Sequence, residues 1–252
     1  MSRLVIFLSA VALAGASHAA EVSLRADVWY PMNGEPGAAN PGFMVEIAQE
    51  ALKAGGHTVN YQTLPWERAV AETRAGKFDC VIGAYKDDTP DFVFPDEPYG
   101  MDVQAFFVKK GQAWHYGGSL DSLKGTSVAV IGGYAYGDEF EAFAKANPTG
   151  IQSVSGDNAL EQNLKKLLAG RAVTTLESVY VAEAKIKEMG LTGQIEQAGL
   201  FGEPTEMYIA CSPAKPSSKD YAKLLTDGIR QLRSSGKLAT ILGKYGLKDW
   251  KK

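Results

Sequence analysis

The chain has 252 residues, of which 45% are hydrophobic, and carries 26 basic against 29 acidic side chains. That is enough chain and enough apolar content for one large domain or two smaller ones. The net charge of −3 excludes a nucleic-acid binder that works through a basic face, and two cysteines and three histidines lack the spacing of a metal-ligating motif.

Residues 1–19 read as a cleaved export signal: Arg3 is the basic start, residues 4–14 the apolar centre, and Ser17-His18-Ala19 the small-x-small cleavage site. The apolar run is too short to span a bilayer, and no cysteine follows the site to take a lipid. The expected product is a soluble exported protein, periplasmic in a Gram-negative cell, with 25 basic and 29 acidic residues once Arg3 is removed. Its histidines, His57 and His115, read as solvated loop residues.

Taken in order, residues 21–29 alternate as a strand through Val22, Leu24, Ala26 and Val28, and run out into Trp29-Tyr30-Pro31. Residues 32–42 are a loop rich in Gly, Pro and Asn. Phe43, Ile47 and Ala51 share one helical face, and Gly55-Gly56 stops that helix. Residues 59–63 form a second strand. Pro65 opens a helix over 66–75, where its missing N–H costs little, and Gly76 is its left-handed cap. A strand over 78–82 follows and ends in Gly83-Ala84-Tyr85. This βαβαβ pattern predicts a parallel sheet with right-handed crossovers. A buried strand that ends in small residues and a polar loop, here 86–90, is where such a sheet exposes ligand-binding backbone.

Residues 101–109 are extended, 119–123 form a helical turn, and 127–131 are an apolar strand that enters Gly132-Gly133-Tyr134-Ala135-Tyr136-Gly137 and an acidic helix over 138–145. That glycine turn lacks the GxGxxG dinucleotide pattern. A strand at 151–154, a helix over 158–169 capped by Asp157, and the run 172–178 come next. A strand over 206–211 and helices over 217–233 and 238–245, stopped by Gly236 and Gly246, complete the chain. Cys80 and Cys211 both lie in apolar, strand-like runs; a disulfide and two buried free thiols fit equally well.

The runs AGKFDCVIGAY and FVFPDEPYG, the segment Gly42-Phe43-Met44-Val45-Glu46-Ile47 and the closing RSSGKLATILGKYGL together resemble the bacterial extracellular solute-binding proteins, family 3, the periplasmic polar-amino-acid type. Pro65-Trp66-x-Arg68-Ala69 resembles a divergent branch of that family. The resemblance covers nearly the whole chain after the leader. It implies an α/β, two-lobed clamshell of the type II periplasmic-binding-protein fold with two crossover strands. Lobe one would hold 20–107 plus 207–252, and lobe two 108–206. It also implies a monomer that captures a small polar solute between its lobes for the permease of an ABC transporter. A sensor module and an exported enzyme of the dehydratase kind are the alternatives; no catalytic acid–base pair, metal site or cofactor site is nominated by the residues.

Carried over position by position, the resemblance puts ligand contacts at the aromatic Tyr30, at Trp66 and Arg68, at Tyr85 and Lys86, at the second-lobe turn Gly133, Tyr134 and Tyr136, and at Glu177. Free amides of Gly133 and Tyr134 at a helix N-terminus would receive an anionic group. Glu177 would accept a ligand ammonium, or else be a solvated acid at a helix start. The family's carboxylate-clamping Arg is replaced by Asp88, so the cation would fall to Arg68 or Lys86. Arg68 is favoured because a cation in a helix's first turn opposes the dipole and needs a compensating reason. Both also read as solvated surface residues.

Overall fold

The computed structural model describes residues 19–251; the export signal assigned to 1–19 lies outside them except for its last residue. The first half of the fold is built as the periodicity predicts. Strands β1 (Glu21–Ala26), β2 (Thr58–Thr63) and β3 (Cys80–Ala84) are joined by helices α1 (Phe43–Ala54) and α2 (Trp66–Arg74). β1 lies between β2 and β3, parallel to both. α1 buries Phe43, Ile47, Ala48, Ala51 and Leu52, and Gly76 takes the left-handed φ of 81° expected beyond α2.

The second half repeats the theme with β5 (Val128–Ile131), α3 (Asp138–Ala146), β6 (Ile151–Val154), α4 (Ala159–Leu168), β7 (Thr174–Ser178) and α5 (Val179–Glu188). Here β5 lies between β6 and β7, again parallel. Two long antiparallel strands, β4 (Gly100–Lys109) and β8 (Ile195–Cys211), join the halves, giving the order β2-β1-β3-β8-β4-β7-β5-β6. The chain returns through β8 to lay α6 (Ser218–Ser234) and α7 (Lys237–Lys244) on the first half. α6 sits hard on α1: a Cβ at Gly228 would stand 2.3 Å from that of Ala51. The architecture is therefore the α/β, two-lobed arrangement with two crossover strands.

Three local expectations need correction. β8 starts at Ile195, not 206. Its first part is polar and carries Gly199, Gly202 and Pro204, yet β4 supplies hydrogen-bond partners along its length, so ladder formation overrides composition. The strand expected at 78–82 begins at Cys80, because Asp79 is used as a tie: its carboxylate accepts from the Ser23 amide (2.8 Å) and hydroxyl (2.6 Å) and pairs with Lys215 at 2.6 Å. Asp157 does not cap α4; the N-cap is Asn158, without a side-chain capping bond. The open question of the cysteines resolves to a disulfide. Cys80 faces Cys211 in the β3–β8 register, and the bond ties the outgoing strand to the returning one.

The first half also carries an ion-pair cluster. Glu97, 6% exposed, accepts from Arg230 (3.0 Å), Arg233 (3.5 Å) and Lys251 (2.7 Å), fastening the C-terminal segment to the strand-proximal turn.

Candidate functional site

Between the halves lies a cavity of about 450 Å³, adjoined by a smaller one of about 40 Å³; Asp27, Trp29, Trp66, Tyr134 and Glu177 line both. The elements reach it in the way an α/β sheet dictates: the walls come from the ends of parallel strands and the loops beyond them. β1 delivers Asp27, Trp29 and Tyr30; β3 delivers Gly83 and Tyr85; α2 presents Trp66 and Glu67. From the other half, β5 delivers Gly132, Tyr134 and Tyr136, β7 delivers Glu177 and Ser178, and the start of α4 delivers residues 155–161.

Direct bonds cross the cleft. Trp29 Nε1 donates to Glu177 Oε1 at 3.1 Å, and the Tyr134 hydroxyl donates to Asp27 Oδ2 in a short contact. Gly133 abuts Glu67: a Cβ there would stand 2.5 Å from Glu67 Cγ, so only glycine allows this approach. Deeper, the Tyr85 hydroxyl donates to Asp102 Oδ2 at 2.8 Å.

Glu177 is 2% exposed. Its Oε1 also accepts from the Ser178 amide at 2.8 Å, while Oε2 has no partner. Burial pushes its pKa up to about 8 against the smaller opposing effect of the Trp29 and Ser178 bonds. Asp27 is pushed up to about 6, again by desolvation, with the Tyr134 bond working the other way and Asp157 adding repulsion. Asp102 is raised by burial.

Of the residues singled out from sequence, Trp66, Tyr85, Tyr134, Tyr136 and Glu177 converge on this cavity, and Tyr30 edges it while packing against Tyr245 at 5.9 Å. Glu177 belongs to the strand β7 and is buried, so the solvated helix-start alternative falls. Arg68 does not reach the cavity. Its side chain is 60% exposed and bonds Glu72 one turn on at 2.8 Å, which supplies the compensation that its place in the helix requires. Lys86 is exposed and lies over the Tyr208 ring at 4.3 Å, away from the lining. The glycine turn is not a helix N-terminus either: α3 starts only at Asp138, and the Tyr134 amide is already bonded to Ile131 O at 3.4 Å. Asp88, where the resemblance implies an Arg, is an exposed acid lining the smaller cavity.

Asp27, and Asp102 behind Tyr85, are not marked by the sequence, whereas the resemblance places Trp29 beside Tyr30 at the family's aromatic position and Ser178 beside Glu177 at its acid position. The available signal for Asp27 is position alone, at the end of the first strand, where a parallel sheet places its binding groups.

The model of the bacterial extracellular solute-binding proteins, family 3, matches residues 25–248. The chain belongs to that family. Several solved structures share the fold of this family 3 protein. An ancestral arginine-binding protein bound to arginine has 21% identity and a TM-score of 0.72, over 89% of this chain and 97% of that one. The structure reported for glutathione import through GshT and the cystine ABC importer TcyBC of Streptococcus mutans has 19% identity and a TM-score of 0.75, over 90% and 95%. A histidine kinase sensor domain similar to periplasmic binding proteins has 18% identity and a TM-score of 0.72, over 89% and 95%. No curated protein sequence matches.

Proposed function

We propose that this family 3 protein is exported to the periplasm by cleavage after residue 19 and acts there as a monomer, capturing a small polar solute for the permease of an ABC importer. The lobes are 20–107 plus 207–252 and 108–206, and they close about β4 and β8 as a hinge. The observation that carries this reading is the cavity itself: it is of small-molecule size, it is walled by both halves, and its walls hold side chains that bond across the gap. Tyr30, Trp66, Tyr85, Tyr134, Tyr136 and Glu177 form the binding wall, with Gly133 permitting close approach of the lobes. A solute that touches both walls stabilises the closed form, and the closed form is what a permease would read. The amino-acid and peptide ligands named for structural neighbours support a polar solute.

A thermal-shift screen of polar solutes tests the reading. A solute at a hundred times its Kd adds about 2.7 kcal/mol of stability, and small-angle scattering should show a smaller radius of gyration at saturation. An unchanged scattering curve for every stabilising solute would overturn the clamshell. The sensor domain among the neighbours keeps signalling as a second reading. Uptake by permease-containing proteoliposomes, dependent on this protein, favours transport over it.

A further inference from the structure

The cleft's own groups narrow the chemistry of the solute. Glu177 is 2% exposed, lines both parts of the cavity, and keeps one carboxylate oxygen without a donor. Ser178, equally buried beside it, has its hydroxyl within reach of Asp102, which stands behind Tyr85. Buried oxygens of this kind need N–H or O–H donors, and the polypeptide brings no charged one. Among the described residues lining the cavity the only basic side chain is Lys185, which turns to Glu188 at 2.8 Å. Glu35, Glu67, Asp88, Asp157 and Glu161 add further acid to the lining of the two cavities. A ligand carboxylate would therefore meet carboxylates and no guanidinium. A bare metal ion is not catered for either: among the described residues no group of three or more His, Cys, Asp or Glu side chains is placed to hold one. Trp29, Trp66, Tyr85 and Tyr134 also line the smaller part, and aromatic rings are surfaces on which an organic cation can rest.

Resting on the solute-capture reading, we propose that the solute is an organic cation with N–H donors, an amine or guanidinium, and no free carboxylate. Its N–H groups donate to Glu177 Oε2 in the place of the missing donor. Without it, the closed site holds protons instead, since Glu177 is raised to about 8 and Asp27 to about 6. The groups that face Glu177 are Asp27 beyond β1, Asp102 on β4, Tyr85 beyond β3, and Tyr134 and Tyr136 beyond β5. All are acids or neutral hydroxyls, and Lys185 on α5 is held by Glu188. Binding of the cation to the closed form thus releases a proton, and its affinity for that form rises with pH until Glu177 is ionised there.

Isothermal titration of the mature protein with agmatine, 1,4-diaminobutane, arginine, glutamine and glutamate tests this. Agmatine and arginine share the guanidinium and differ by one carboxylate. The expected result is binding of agmatine or diaminobutane, with arginine at least about tenfold weaker than agmatine. The cation's affinity should increase about tenfold from pH 6 to pH 7, as one displaced proton requires. Glu177→Gln should weaken the cation at least a hundredfold while the free protein's Tm does not fall. Arginine binding as tightly as agmatine overturns the proposal. So does a glutamine- or glutamate-driven decrease in radius of gyration with no response to the cations, although that result leaves solute capture standing. Absence of binding and compaction with every solute, in these titrations and in the wider polar screen, overturns both.

Discussion

Two sets of buried carboxylates in this molecule have opposite surroundings. On the first half, Asp79 is met by Lys215 and Ser23, and Glu97 by two arginines and a lysine; both titrate below the usual carboxylate range, desolvation of Asp79 being outweighed by the Lys215 and Ser23 bonds together and that of Glu97 by Lys251 first. In the cleft, Glu177 and Asp27, with Asp102 behind Tyr85, have hydroxyl and indole donors but no cation, and all three are pushed upward by burial. The difference is not a matter of available charge, because the chain has 26 basic residues to deploy. Where acids serve the fold they are paired from within. Where they face the cavity, the pairing is left to something outside the polypeptide.

The sharpest way to break this contrast is to remove an acid that the fold uses. Asp79→Asn removes the counter-charge of Lys215 and weakens two bonds that pin β1 to the start of β3. It should cost about 2–3 kcal/mol, at or below the low end of the range for leaving one member of a buried pair unmatched because Lys215 is part-exposed, as read from urea unfolding. Glu97→Gln should cost less, about 1–2 kcal/mol. Its partners Arg230 and Lys251 are more than half exposed and return to water. Both wild-type contributions are present at neutral pH and are lost as pH falls through the lowered pKa of each acid. A Glu97→Gln protein as unstable as Asp79→Asn would show that exposure of the partners does not set the scale.

Much of the fold was legible because its elements are locally consistent. Period 2 in β1, the shared apolar face of α1 and the glycine after α2 each name their element without tertiary help. The opening of β8 was not legible, since its pairing with β4 is a long-range fact that its polar composition does not announce. In the site, the aromatic residues and Glu177 could be found at strand ends. Asp27 and Asp102 could not, because an acid beside a strand reads as solvated until the opposite half is laid over it. Arg68 shows the converse error. Its awkward place in α2 was real, but a neighbour four residues along resolves it, and local side-chain pairs settle such conflicts before any ligand does.

The smallest expected effect is the one that isolates the cleft. At pH 7 the Glu177 carboxyl in the closed, empty protein is mostly protonated, being raised to about 8. Glutamine has the shape of that neutral acid. Its amide oxygen keeps the bonds from Trp29 Nε1 and the Ser178 amide, and its NH2 takes the position of the unpartnered oxygen. Glu177→Gln should therefore change unfolding free energy by no more than about 0.5 kcal/mol near pH ~4.5, where the wild-type acid has lost little, and should be the more stable protein at pH 7, while Asp79→Asn lowers stability severalfold more. The sign of the pH dependence provides the control. A folded-state pKa above the unfolded value contributes stability at low pH and loses it as pH rises toward 8. The empty wild-type protein should weaken over that interval, by at most about 1.4 kcal/mol per pH unit for this one group, and the Gln variant should be flatter. A wild-type curve that is flat from pH 5 to 8 would mean that the empty protein rests open with Glu177 in water, and a Gln variant as damaged as Asp79→Asn would mean that Glu177 is already paired within the fold and that the two sets of carboxylates do not differ.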